Sequence, residues 1–201
     1  MNKSNLFKII STFSPKEIKE FGDFVQSPFF NKNESTIRLY EYIRKEYPDF
    51  DNKKMNKELI YKSLFPGAEY NDGFMRTIIF NLSTLAEEFL TYVNFRKDKA
   101  RYGVLMLEEL NTRKLDKLLL KHFKGVEAEV DDIEDKSRDY FYYKYMIERI
   151  MYSYQNWSRF RNKNLKDYED RSIKNEIHFL ISYSLGRALA NYRFLITGII
   201  D

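Results

Sequence analysis

Two histidines, His122 and His178, are the side chains whose charge changes most readily near neutral pH. No second histidine stands four residues from either, and no His-Glu-x-x-His pattern occurs, so neither reads as a metal ligand or as a catalytic base. His122, in LLLKHFKG, falls near an expected helix end, where an imidazole favourably meets the helix dipole. The carboxylate pairs Glu87-Glu88 and Glu108-Glu109 are adjacent in sequence; on a helix they point about 100° apart and make no poised dyad. The acidic run EAEVDDIED (127–135) lacks the alternating oxygen ligands and central glycine of a calcium loop. With Val130 and Ile133 interleaved, it reads as a solvated helix face or an inter-helix connection. No glycine-rich phosphate loop occurs, the tight-turn glycines being Gly67 and Gly125. The chain has no cysteine, which excludes disulfides, thiolate metal sites and a cysteine nucleophile. The expectation is a non-enzymatic protein with no catalytic, cofactor-binding or metal-binding residue and no cofactor.

Binding chemistry is better represented. Seventeen phenylalanines and sixteen tyrosines make an aromatic fraction of 17%. In SRDYFYYKYMIERIMYSYQNWSRF (137–160), Tyr143, Met146, Ile147, Ile150, Met151, Tyr154 and Trp157 form a helical stripe, with further aromatics off it. Tyr140, Tyr142, Tyr145 and Tyr152 are therefore the expected exposed contributors to a groove for a protein partner of unknown identity. The alternative is a nucleic-acid-binding regulator. Segment 157–174 interleaves Trp157, Phe160 and Tyr168 with Arg159, Arg161, Lys163 and Lys166, the mixture that single-strand binders use. Asp167, Glu169 and Asp170 dilute it to +3, and a solvated helix-loop-helix explains it equally well. A second nucleic-acid candidate, 57–95, resembles in outline the helical part of a winged-helix domain. Its expected recognition helix sets Arg76 against Glu87 and Glu88, which suits DNA poorly.

These residues need helices to position them. Seven glycines and four prolines are too few for a many-stranded sandwich or barrel, and no run alternates like a strand. Ser4 precedes a short apolar segment. FSPKE is a full helix start: Ser14 to cap, Pro15 in the first turn, Glu17 three residues on, with Phe13 and Ile18 placed as a staple. Asn31 and Glu34 suggest a second capping box for a helix at about 33–46, ending before Pro48. Further helices are expected at about 57–65, 72–95, 98–111, 113–127, over the tyrosine-rich segment, and at about 170–195. The fold class is all-α: eight or nine antiparallel helices in an irregular helical-hairpin stack, tetratricopeptide-like or α-solenoid-like, though without a fixed repeat. Residues 1–96 read as an N-terminal helical subdomain and 97–201 as a C-terminal helical-hairpin region. The apolar ending FLITGIID leaves two readings open, a last turn docked into the fold or a chain that continues as a longer array. Between the second and third helices lies QSPFFNKNES, whose Phe29 and Phe30 are expected to fold back onto the two flanking helices rather than dock a partner.

Net charge is +4, divided equally between the two halves of the chain, so no cationic domain stands out. The N-terminus lacks the apolar core of a signal peptide, and the apolar segment 177–200 contains Arg187, Asn191 and Arg193, costly in a bilayer. A cytoplasmic protein without membrane contact is the expectation. The order SPKEIKEFGDFVQSPFFNKN, then RLYEYI, then LFPGAEYND followed by an arginine and L-x-x-L-A-E-E-F-L, resembles an uncharacterised family of bacterial all-helical proteins over about residues 5–150. The resemblance implies a helical fold and carries no established activity or ligand.

Overall fold

Capping decides where the first long helix begins. In the computed structural model, which describes residues 4–50, 54–161 (backbone alone over 158–161), 177–178 and 180–189, Ser14 accepts a hydrogen bond from the Glu17 N–H at 3.2 Å. Glu17 Oε2 in turn accepts from the Ser14 N–H at 2.9 Å, closing the expected capping box. The chain then runs α1 (Asn5–Ile10), α2 (Pro15–Gln26), α3 (Glu34–Lys45), α4 (Lys57–Leu64), α5 (Asp72–Lys97), α6 (Lys99–Thr112), α7 (Asp116–Asp131) and α8 (Arg138–Arg161). Residues 177–178 and 180–189 are helical too, and no strand occurs among the described residues. No helix among them is long and apolar enough to cross a membrane. The contacts divide the chain into two units, 1–94 and 95–201, the division falling near the end of α5.

In the first unit the apolar faces of α1 to α5 close over a core that includes Leu6, Ile10, Phe21, Leu39, Ile60 and Ile78. Tyrosines of α3 and the turn after it tie that core together. The Tyr40 hydroxyl donates to the Ile18 carbonyl at 2.7 Å, and Tyr47 donates to the Phe13 carbonyl at 2.8 Å. Tyr40 fits there because Gly22 has no side chain: a Cβ on Gly22 would stand 2.4 Å from the Tyr40 hydroxyl oxygen.

Three local expectations are corrected. The cap of α3 is Asn33, whose side chain accepts from the Thr36 N–H; Asn31 instead donates to the Val25 carbonyl at 2.9 Å, closing the end of α2. With Asn31 holding the link, Phe29 and Phe30 do not form a buried corner. Phe29 is 87% exposed, and Phe30, 39% exposed, stacks on Phe24 with ring centroids 3.9 Å apart. The third correction is to the end of α7 alone: it continues past 127 to Asp131, so the helix-face reading of the acidic run holds that far, because Val126 and Val130 keep the apolar face in register and are both buried.

In the second unit, α6, α7 and α8 pack against one another around Val104, Leu107, Leu119, Phe123, Ile147 and Ile150. Gly103 is the point of closest approach: a Cβ there would lie 2.8 Å from Val126 Cγ2. Along the α6–α8 seam, Tyr143 bonds Asp98, Arg149 bonds Glu108, and Asn111 donates to Ser153. The order ascends along both helices, so α6 and α8 run in the same direction. The three-residue link before α7 turns at Lys114 (φ 59°), with the Leu115 N–H returning to the Leu110 carbonyl.

These glycines separate by experiment. Gly103→Ala and Gly22→Ala are each expected to cost about 1–3 kcal/mol through overpacking. Gly125→Ala, on an open face of α7, is expected to stabilise by about 0.5–1 kcal/mol. Urea denaturation of the three variants reads both signs. At the start of α5, the hydrogen bond from the Tyr70 hydroxyl, helped by Arg76 and Lys57, holds the Asp72 carboxyl below its ordinary 3.8. The stabilisation this carries is complete above that value and is lost as pH falls through the depressed native one. The difference in Tm between wild type and Asp72→Asn is therefore expected to be constant near neutrality and to shrink in strong acid.

Candidate functional site

Asp98 organises the part of the second unit where a site can form. One carboxylate oxygen accepts from the Arg101 N–H at 2.9 Å and caps α6; the other accepts from the Tyr143 hydroxyl at 2.7 Å. Burial, then the bond to Asp98, pushes the Tyr143 hydroxyl well above its ordinary value of 10, so it stays a donor at every physiological pH. The side chains that flank this bond line a cavity of about 710 Å³. From α6 come Arg101, Val104 and Leu105; from α8, Arg138, Asp139, Tyr142, Tyr143 and Met146. The third wall is the helical stretch 180–189, through Ser182, Tyr183, Gly186 and Arg187.

The lining is apolar at its base and aromatic at its rim. Met146 and Val104 are buried, whereas Tyr142 is 45% and Tyr183 60% exposed. Gly186 lets the Arg138 stem lie close: a Cβ at that glycine would be 3.1 Å from Arg138 Cδ. Ser182 Oγ adds a hydrogen bond to the Arg138 carbonyl at 3.3 Å. Arg138 reaches Asp139 through Nε at 2.9 Å and Nη2 at 2.7 Å. Such a surface can bind and orient; its one carboxylate is already neutralised by a guanidinium.

Of the tyrosines expected to form a groove, Tyr142 lines this cavity. Tyr140 and Tyr145 are half-buried against the core of their own unit, and Tyr152 is half-buried elsewhere on α8. Helical geometry puts Tyr142 on a stripe with Arg138, Asp139 and Met146, one turn away, and Tyr140 about 200° round the axis. Tyr145, three residues on, keeps its ring beside that of Tyr142, with centroids 6.4 Å apart, but is not in the cavity lining. Trp157 is 52% exposed, with Lys114 Nζ 4.3 Å from its ring centre. Arg159 and Arg161 sit in the last turn of α8; Lys163 and Lys166 lie outside the described residues. In the 57–95 segment, Arg76 is paired with Asp72 at 2.6 Å rather than left to reach a base edge. His122 is half-buried on α7, His178 lies beside Phe141, and no group of metal-ligating side chains occurs among the described residues.

Sequence reasoning missed Asp98, Arg101, Tyr183 and Arg187, which come from segments far apart in the chain. A signal existed: Arg138 with Tyr142, and Tyr183 with Arg187, are arginine–tyrosine pairs at i,i+4, hence on one helix face. Asp98→Ala and Tyr143→Phe are each expected to destabilise by about 1 kcal/mol. A double-mutant cycle in urea should show the pair costing less than the sum of the two. In comparisons with known proteins, no family model, no curated protein and no solved structure matches this chain.

Proposed function

We propose that this chain is a non-enzymatic protein–protein interaction module of the cytoplasm, a scaffold whose partner groove is the cavity of the second unit. The observation that carries the reading is that cavity: an apolar base with two exposed tyrosines at the rim, on a frame fixed by the Asp98–Tyr143 bond. Tyrosine offers a rigid ring and a polar end, the combination enriched where proteins bind one another. The Tyr142 and Tyr183 hydroxyls make no hydrogen bond among the described residues, so both remain available to a partner.

The architecture we infer for this region is an irregular, tetratricopeptide-like stack of antiparallel hairpins. Its support is the short α6–α7 link, the Gly103–Val126 contact about equally far from that link on each side, and the shared direction of α6 and α8. Stacked hairpins of this kind expose concave surfaces suited to extended segments.

A display library of random peptides, selected on the wild-type chain, tests the function. Enriched peptides are expected to bind at least about tenfold more weakly to Tyr142→Ala/Tyr183→Ala, since such aromatic contacts dominate small interfaces. Failure to enrich any peptide, or equal binding to the double variant, overturns the reading. Labelled DNA and RNA serve as the counter-test by fluorescence anisotropy: salt-sensitive binding there would move the function to the nucleic-acid alternative.

A further inference from the structure

We infer that the cavity takes an acidic peptide segment, with a carboxylate side chain held by Arg101 and Arg187 and a neighbouring aromatic or apolar side chain laid against Tyr142 and Tyr183. This rests on the interaction-module reading and names the chemistry of its partner.

Charge complementarity decides the class. Three guanidinium groups border the space, one from each of its three walls, against the single carboxylate of Asp139. Asp139 is occupied by Arg138 in the same turn, and Arg138 is held in the wall by Gly186 and Ser182. Asp98 stands behind the lining rather than in it; its two hydrogen-bond donors are neutral, so its charge offsets part of this excess without occupying a guanidinium. Arg101 and Arg187 are exposed, and among the described residues neither guanidinium is in an ion pair. Two guanidiniums without an ion-pair partner among the described residues, one on α6 and one on the helical stretch 180–189, are therefore left for a ligand.

A carboxylate suits them, since planar guanidinium forks recognise planar anions in two-point contacts. The rest of the lining determines what must accompany the anion. Leu105, Met146 and the two exposed rings present an apolar surface that a bare ion would leave wet. An acidic residue beside Phe, Tyr or Leu satisfies both parts of the surface. A cationic segment meets the wrong sign. A nucleic-acid strand needs a row of cations along its phosphates, whereas this cavity is the size that takes a small ligand or a few side chains.

The test uses the full chain and a fluorescein-labelled octapeptide carrying two Glu-Phe pairs between Gly-Ser ends, read by anisotropy. Its matched forms replace Glu by Gln, Glu by Lys, or Phe by Ala. The Glu-Phe peptide is expected to bind at least about tenfold more tightly than the Gln-Phe form, the difference worth one charge-assisted hydrogen-bonded contact. Arg101→Gln/Arg187→Gln is expected to remove that advantage, so that the Glu-Phe and Gln-Phe forms bind the variant equally, with helicity checked by circular dichroism. Raised salt should narrow the gap. Equal binding of the Glu and Gln forms, tighter binding of the Lys form or of a labelled oligonucleotide, or an unaffected arginine double variant overturns the acidic partner. The two readings fail differently. If the Gln-Phe peptide binds as tightly and is lost in Tyr142→Ala/Tyr183→Ala, the interaction module stands and the acidic class falls. If no peptide form binds the folded chain and the display library is also empty, both fall.

Discussion

The carboxylate of Asp98 is the constraint from which the second unit is built. One oxygen fixes the first turn of α6 through the Arg101 N–H, and the other fixes α8 through the Tyr143 hydroxyl. A hydrogen bond to an ionised acceptor is stronger than a neutral one, and here it joins residues 45 positions apart. The residue whose N–H is captured also contributes its guanidinium to the cavity wall, so capping the helix and placing the cation are one event. Glu108–Arg149 and Asn111–Ser153 continue the seam and hold α6 and α8 in register. The Gly103–Val126 contact then sets how close α7 can come.

The aromatic surplus becomes intelligible through the hydroxyls. Tyr40, Tyr42 and Tyr47 each donate to a backbone carbonyl of another segment, at Ile18, Lys54 and Phe13. Tyr70 and Tyr143 donate to carboxylates. A tyrosine with its ring in or against the core can reach a polar group that a phenylalanine would leave unsatisfied, and helix ends and turns supply such groups in number. Most of the tyrosines described here by their partners therefore serve the fold. Tyr142 and Tyr183 differ: their rings stand at a rim, and their hydroxyls have no such partner among the described residues.

What the sequence revealed follows the range of the forces involved. The capping box at Ser14 and Glu17 is a four-residue device and was legible in full. The apolar spacing of α5 was equally plain, and Met75, Ile78, Leu82, Leu85, Ala86 and Phe89 are its buried residues. Of the two link phenylalanines, Phe30 does fold back, stacking on Phe24 of α2, whereas Phe29 misled: its hydrophobicity suggested burial, but the Asn31 side chain closes the link and Phe29 stands in solvent. The break after α6 was expected near 112 and falls at 113–115, but its geometry was hidden. It places Lys114 in the left-handed region at φ 59°, a position glycine normally marks, so composition carried no signal. The cavity was least legible of all, since its walls come from three segments whose meeting is a tertiary event.

That distribution bears on how the candidate site would choose a partner. Residues 101–201 carry eighteen basic and sixteen acidic side chains, so the long-range field of this region is weak and gives little steering. Beyond about 10 Å in ordinary salt, what field there is becomes largely screened. Discrimination must then come from the short range, where the lining sets three guanidiniums against one carboxylate and apolar walls lower the local dielectric. In such a setting the charge of a bound group matters more than the charge of the partner as a whole. A weakly charged partner with one acidic residue beside an aromatic can outcompete a strongly acidic one whose carboxylates have no ring next to them, because the second leaves the rim tyrosines exposed to water.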